Sequence, residues 1–551
     1  MQRGWILVAT LSVVATIACA DNSNKDKDKD RTKVEPAVAA YFKNDDSGTD
    51  SSVTVEGDTL SYHAIAGTIV VHPKGWDDVT QSAESEGAAP ETEAAEKGPK
   101  PQGETGARAA MFYVYYAKSG EKPENRPVTF LYNGGPGSST VWLHMGAFGP
   151  RRVITADDTH TPAAPYKLVN NDYSLLDASD LVFIDAPGTG FSRITGKDKE
   201  KAFYGVDPDA WAFAEFVTQF LSKYGRWNSP KYLFGESYGT PRSAVLVNML
   251  ETDRSIDFNG VMLLSQILSF DMSADQPEFN PAVDLPYMLA LPTYAATAWY
   301  HNRLPGKRPP DLQKFLGDVQ HFAMGDYSQA LQAGAALNHN QRLTIANRLH
   351  QYTGLPVWYI LRADLRVDGG MFEQNLQGNA EMTTGRLDSR FSGPTMDPLE
   401  KQAEYDPQSA SISSAYVSAF NDYVRRELKY GTGKQYKPEI DVFRSWNFLH
   451  QPSGVPIPLP EATNVIPDLS TAMKYNPRLR IMLAGGYFDL ATPYYEGIYE
   501  MRHLQIPPAL QRNIEYHYYQ SGHMVYAHED SLKQIHDNAA DFIRRTDNLN
   551  Q

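Results

Sequence analysis

A single cysteine, Cys19, stands in 551 residues. Intramolecular disulfides are therefore excluded, and so is any zinc site built on cysteines. No His-Glu-x-x-His occurs, which removes the commonest sequence sign of a zinc hydrolase. No metal or other cofactor is expected. Basic residues are outnumbered, 51 Lys and Arg against 66 Asp and Glu, for a net charge of -15. Without a basic stripe to neutralise phosphates, a nucleic-acid partner is not expected. Internal repeats are absent from the sequence. What is plentiful is apolar and aromatic: 42% of the chain is hydrophobic and 32 residues are Tyr. That is enough for a large core and points to two structural units.

Arg3 and the apolar run Trp5 to Ala18 open the chain. The run is shorter than the ~20 residues a membrane-spanning helix needs, and it suits the apolar region of a secretory signal. It ends in Thr16-Ile17-Ala18-Cys19, which resembles a bacterial lipoprotein signal with Cys19 as the lipidated residue. Thr16 stands where Leu is usual. Ala18-Cys19-Ala20 also fits simple cleavage after Ala20. Both readings export the protein to the periplasm or cell surface, and the first also anchors it to a membrane. Asp21 to Lys33 alternates Asn, Lys and Asp without an apolar residue and reads as a disordered tether.

The expected organisation is a signal over 1–20, a tether over 21–50, a first core part over 51–269, a largely helical insertion over 270–476, and a second core part over 477–551. The stretch 81–106, rich in Glu, Ala, Pro and Gly, reads as a surface loop within the first part. Strand-like runs at 111–116, 128–132, 181–184, 232–234 and 260–268 alternate with helical patterns, which predicts a mostly parallel sheet with helices on both faces. Asp207 and Pro208 read as the cap and first residue of one such helix. The region from Phe270 to about Asn476 breaks the rhythm with helical patches at 330–349 and 411–428. Strand and helix order returns with 479–484, 493–503, 514–519 and 529–545.

Gly235-Glu236-Ser237-Tyr238-Gly239 follows a strand and precedes a helix, the setting of a nucleophile elbow in an α/β-hydrolase fold. The turn is tight, so small residues must flank the serine. A serine hydroxyl needs a base, and the fold predicts the order Ser, acid, His along the chain. Asp489 follows the strand at 479–486, and His523 follows the strand at 514–519. His503, His517 and His528 are rivals in less suitable contexts: one sits inside a strand and two lack a preceding strand. A tetrahedral intermediate also needs backbone donors, and losing one typically costs ~2.7–4 kcal/mol of transition-state stabilisation. The N–H of Tyr238 is one candidate. The loop Asn133-Gly134-Gly135-Pro136-Gly137, after the strand at 128–132, offers another. It is not a phosphate loop, because no Gly-Lys-Ser/Thr follows.

These blocks resemble the serine carboxypeptidase family. Tyr132 to Ser139 is similar to its Trp-Asn-Gly-Gly-Pro-Gly-Cys-Ser, and Asn171 to Ser174 to its Asn-x-Tyr-Ser. Phe183 to Ser192 is similar to its Asp-Gln-Pro-x-Gly-x-Gly-Phe-Ser, Gly235 to Tyr238 to its Gly-Glu-Ser-Tyr, and Gly522 to Val525 to its Gly-His-Met-Val. The blocks stand in family order. The resemblance implies hydrolysis of peptides from the C-terminus, with Ser237 as nucleophile, His523 as base then acid, and Asp489 orienting it. It implies Gly135 and Tyr238 N–H groups as the oxyanion hole. It also implies that Asn133, the Gly134 backbone and Glu236 bind the substrate's terminal carboxylate. A charged Glu236 would repel that carboxylate, so it should be protonated when substrate binds.

Three departures stand out. Ser138 replaces the family's usual cysteine. The second acid of the carboxylate clamp, counted back from Gly149-Pro150, is Ala147, which predicts a less acidic optimum and looser terminal selectivity. Gly239-Thr240-Pro241-Arg242 replaces the usual Ala-Gly-x-Tyr, and this elbow also resembles that of proline- and tripeptide-releasing aminopeptidases. An exported aminopeptidase or esterase, or a surface binding protein without catalysis, are the competing readings. Side-chain preference, physiological peptide and oligomeric state are not legible.

Overall fold

The computed structural model describes residues 41–42, 45–76, 106–452, 455–458 and 462–549. The apolar run with Cys19, the tether 21–33 and nearly all of the loop 81–106 lie outside the described residues. The chain from Asn44 to Gln551 forms a single unit.

The centre of this unit is a ten-stranded sheet. In chain order the main strands are β1 (Ser47–Val55), β2 (Asp58–Val71), β3 (Arg108–Lys118), β4 (Val128–Tyr132), β5 (Asp180–Ile184), β6 (Lys231–Glu236), β7 (Gly260–Leu264), β8 (Arg480–Gly486) and β9 (Ile514–Tyr519). They lie side by side as β1-β2-β3-β5-β4-β6-β7-β8-β9, and the short strand Arg193–Thr195 pairs with β3. The first four strands in this order pair antiparallel, and the remaining pairings are parallel. Every residue of β4, β5 and β7 is buried, as mostly apolar strands are when helices cover both faces. β1, an edge strand, alternates exposed and sheltered residues over most of its length and begins within the range expected to be tether.

Period-two alternation divides the apolar side chains between the faces. Phe130, Val182, Leu233 and Leu263 join a core with the helices Val206–Lys223 and Gly239–Arg254. Leu131, Phe183, Phe234 and Leu264 join another with the C-terminal helix Glu529–Thr546. This strand order, with crossover helices between parallel strands, is the α/β-hydrolase fold.

The expected insertion separates into parts. Helices Leu285–Tyr300, Leu312–Phe322 and His339–Thr353 build a third core around Leu289, Leu316 and Leu349. Helix Pro407–Arg426 instead packs Ile412, Tyr416 and Phe420 into the sheet-face core, and helix Ile466–Tyr475 joins the opposite one. The patch at 330–349 is two helices, because Asn338 starts a new one with a capping box to Gln341. The helix expected to be capped by Asp207 starts at Val206, after Gly205. The Asp207 carboxylate is engaged elsewhere: it accepts from His450 Nδ1 at 2.7 Å and from the Gln451 N–H at 3.2 Å.

Candidate active site

The parallel strands β4, β6, β8 and β9 all end at one edge of the sheet, and the loops leaving them carry the candidate residues. Ser237 leaves β6 with φ of +60°, a left-handed conformation costly for a residue with a β-carbon. Its N–H donates to the Leu264 carbonyl at 3.0 Å, and its own carbonyl accepts from the Thr240 N–H at 2.8 Å. A helix starts two residues later, at Gly239, and folds back over the strand. A β-carbon at Gly235 would overlap the Gly239 carbonyl oxygen, so the turn admits only glycine there. Likewise, a β-carbon at Gly134 would overlap the Tyr238 amide nitrogen. The loop after β4 therefore lies directly against the backbone that follows Ser237.

Asp489 and His523 meet on the loops after β8 and β9. The distance from His523 Nδ1 to Asp489 Oδ2 is 2.8 Å, and both side chains are buried. Asp489 Oδ1 accepts the N–H groups of Ala491 and Thr492 at 2.9 and 3.0 Å, and Oδ2 also accepts from Thr492 Oγ1 at 2.8 Å. Four bonds hold the carboxylate, so it both caps the turn before Pro493 and faces the imidazole. Burial alone would push His523 down; the Asp489 charge and, to a smaller degree, Glu236 outweigh it and hold the imidazole above its ordinary value. The rivals lie elsewhere: His503 bonds the Tyr499 carbonyl, His517 approaches Glu515, and His528 approaches Ser531.

A cavity of about 440 Å³ opens over these loops. Ser237, His523, Asn133, Gly134, Gly135 and Glu236 line it, and Tyr238 borders it. Glu236 is 2% exposed. Tyr526 Oη donates to its Oε2 at 2.8 Å, and Asn133 is a further side-chain partner. Burial pushes Glu236 up to about 7, against the lowering pull of His523, Tyr526 and Asn133. It is thus poised to be neutral in mildly acidic solution. Ala147 does not line this cavity. It is fully buried in the sheet-face core, and its carbonyl accepts from Asn171 Nδ2 at 2.7 Å. Ser138 does line it, and its Oγ accepts from Trp142 Nε1 at 2.8 Å. Among the described residues no group of three His, Cys, Asp or Glu could hold a metal ion.

Several contributors carry no sequence signal of their own. Tyr526 and Thr492 sit three residues after His523 and Asp489, in no recognised pattern. Arg242, buried in the departure after the elbow, pairs with Asp209 at 2.6 Å and donates to the Asn133 carbonyl at 2.8 Å, so it props the loop after β4 from below. The insertion contributes a brace. The His523 N–H donates to the Leu387 carbonyl at 2.6 Å, and the Leu490 N–H to the Arg386 carbonyl at 3.0 Å. Ser389 bonds the Phe488 carbonyl through both N–H and Oγ at 2.9 Å. Fully buried Asp388 is clasped by Arg390, whose Nη1 reaches Asp157 at 2.9 Å. One segment, 386–390, thus ties the Asp489 loop to the His523 loop.

A family description, serine carboxypeptidase, matches residues 102–276. A pheromone-processing carboxypeptidase of Phytophthora infestans is 30% identical over 141 residues, covering 23% of this chain and 21% of that protein. Serine carboxypeptidase-like 13 of Arabidopsis thaliana is 30% identical over 191 residues, 33% of this chain and 40% of its own. The chain thus aligns with well under half the length of these curated relatives. Among solved structures, a proline iminopeptidase of Mycobacterium smegmatis is 11% identical, covers 91% of this chain and 99% of its own, and superimposes with a TM-score of 0.33. A peroxisomal α/β-hydrolase of Saccharomyces cerevisiae gives 10% and 0.32 over 87% and 89%. At those scores the fold rests on the strand order above. Residues 102–276 thus match the serine carboxypeptidase family, and the relatives above align with part of the chain only.

Proposed function

We propose that this chain is a serine-type carboxypeptidase that removes C-terminal residues from peptides. The observation that carries the reading is that one cavity is lined by a serine on a strained turn, a histidine backed by a buried Asp, and a neutralisable Glu. In this reading Ser237 Oγ attacks the scissile carbonyl carbon and its proton passes to His523 Nε2. Asp489 holds the other ring nitrogen and stabilises the imidazolium. The oxyanion accepts from the N–H groups of Gly135 and Tyr238. The C–N bond then breaks, the leaving amine takes the proton from His523, and an ester on Ser237 remains. Water attacks that ester, gives a proton to His523, and Ser237 recovers it as the acid product leaves.

Asn133, the Gly134 backbone and Glu236 would receive the substrate's terminal carboxylate. A neutral Glu236 donates a hydrogen bond to it, whereas an ionised one repels it. One observation favours an enzyme acting from the amino end. Exposed Glu439 lines the cavity beside Ser138 and could receive a substrate ammonium. Blocked dipeptides decide between them. Labelling of Ser237 by phenylmethylsulfonyl fluoride, with turnover of N-blocked free acids and none of the amides, supports the carboxypeptidase. A requirement for a free amino terminus supports the alternative.

A further inference from the structure

Arg386 is the one Lys or Arg among the described residues that line the cavity. Its guanidinium lies on the wall formed by the insertion, opposed by Asp275, with Nε to Oδ1 at 3.1 Å and Nη2 to Oδ2 at 2.5 Å. Side-chain exposure of 36% and 48% leaves both groups within reach of a ligand. A guanidinium presents two edges that match a carboxylate: the Nε/Nη2 side and the Nη1/Nη2 end. Asp275 occupies the side, and the end edge carries no carboxylate among the described residues. Asp275 therefore orients the guanidinium rather than using up its capacity.

The backbone under Arg386 is fixed. Its N–H donates to Asp406 Oδ1 at 2.7 Å, and Asp406 caps helix Pro407–Arg426. From that cap the helix stripe Ser409, Ile412 and Ser413 runs along the cavity wall. The next turn carries Tyr416, packed near Gly146 and Tyr526, and so beside Glu236. Ser409 to Tyr416 is two turns of helix, ~10 Å of rise. The Glu236 end and the Arg386 end thus address different parts of one bound residue or of its neighbour.

We propose that Arg386 selects substrates whose C-terminal residue bears a side-chain carboxylate, docked on its Nη1/Nη2 edge. This rests on the carboxypeptidase reading, in which the α-carboxylate goes to Asn133 and Glu236. Three further features favour a side-chain carboxylate over a cation there. The guanidinium is permanently charged, its orientation is set by Asp275, and the neighbouring wall residue Ser413 is a neutral donor.

The test uses the full chain and N-blocked dipeptides that end in Glu, Ala or Lys, each as free acid and as C-terminal amide. A charge-assisted contact typically changes affinity by about one to two powers of ten. The expected result is a Glu-to-Ala ratio of kcat/KM of at least ~10 for the free acids, lower at high salt, with Lys disfavoured. In Arg386→Gln the ratio should fall to about 2 or less, and Arg386→Lys should restore part of it. Wild-type enzyme showing no preference for Glu over Ala overturns the proposal whatever the variants do. Equal losses on Ala- and Glu-ended peptides in Arg386→Gln place the guanidinium on the α-carboxylate and also overturn it. Equal cleavage of the amides overturns the carboxypeptidase reading instead.

Discussion

The two walls of the cavity are built differently. The wall from the sheet carries Ser237 and His523 on short loops held by backbone bonds, with His523 and its partner Asp489 buried and Ser237 partly exposed. The wall from the insertion carries Asp275, Arg386, Phe443 and Phe448, and of these Phe443 is 59% exposed. On the proposed reading the first wall needs geometry that does not shift, because a misplacement of an ångström can cost two powers of ten in rate. The second has room to vary with substrate. Strain at Ser237 and the many bonds to Asp489 belong to the first, and open guanidinium edges and exposed rings belong to the second.

The contrast between the walls is tested most severely on the sheet side. Ser237→Ala should lower kcat by roughly 10⁶ while leaving the far-ultraviolet circular dichroism and thermal midpoint close to wild type. Residual turnover within tenfold of wild type would remove Ser237 from the nucleophile's role. The brace comes next, since it belongs to the insertion yet serves the sheet wall. Arg390→Met strands the buried Asp388 charge and should destabilise the protein by ~3–5 kcal/mol, read as a lowered midpoint in urea. Activity should fall as well, because the His523 N–H bonds the same segment.

Smaller effects concern Glu236. Its carboxyl is raised to about 7, so it is neutral below that value and charged above it. KM for free-acid peptides should therefore be low near pH 5.5 and rise as pH passes about 7. In Glu236→Gln that rise should be absent, measured as log KM against pH. Smallest is Tyr526→Phe. The phenol stabilises the ionised carboxylate, so its loss should move the rise in KM to higher pH. A shift to lower pH would contradict the assigned bond.

The same contrast explains what was legible in the sequence. Strand-turn-helix punctuation around Gly235 to Gly239 marks Ser237, and position after a late strand marks Asp489 and His523, because those constraints are local. The parallel strands were legible for the same reason: β4, β5 and β7 are short, mostly apolar runs. Tyr526, Arg242 and the brace at 386–390 were not, since each acts through partners about a hundred residues away or more. The insertion was legible as helical but not as divided, because helix Pro407–Arg426 joins the sheet core through tertiary packing that its own pattern does not announce. Ala147 illustrates the same limit: counting from Gly149-Pro150 located a position in the chain, and the fold places it in the core, away from the cavity lining.

The carboxypeptidase reading stands or falls on the ratio of kcat/KM for an N-blocked dipeptide free acid to that for its amide, measured at about pH 5.5 and pH 8. The expected ratio is well above one at the lower pH and falls at the higher pH, with no such fall in Glu236→Gln. A ratio near one at both values, with Ser237→Ala inactive, would leave a serine hydrolase and contradict the carboxypeptidase.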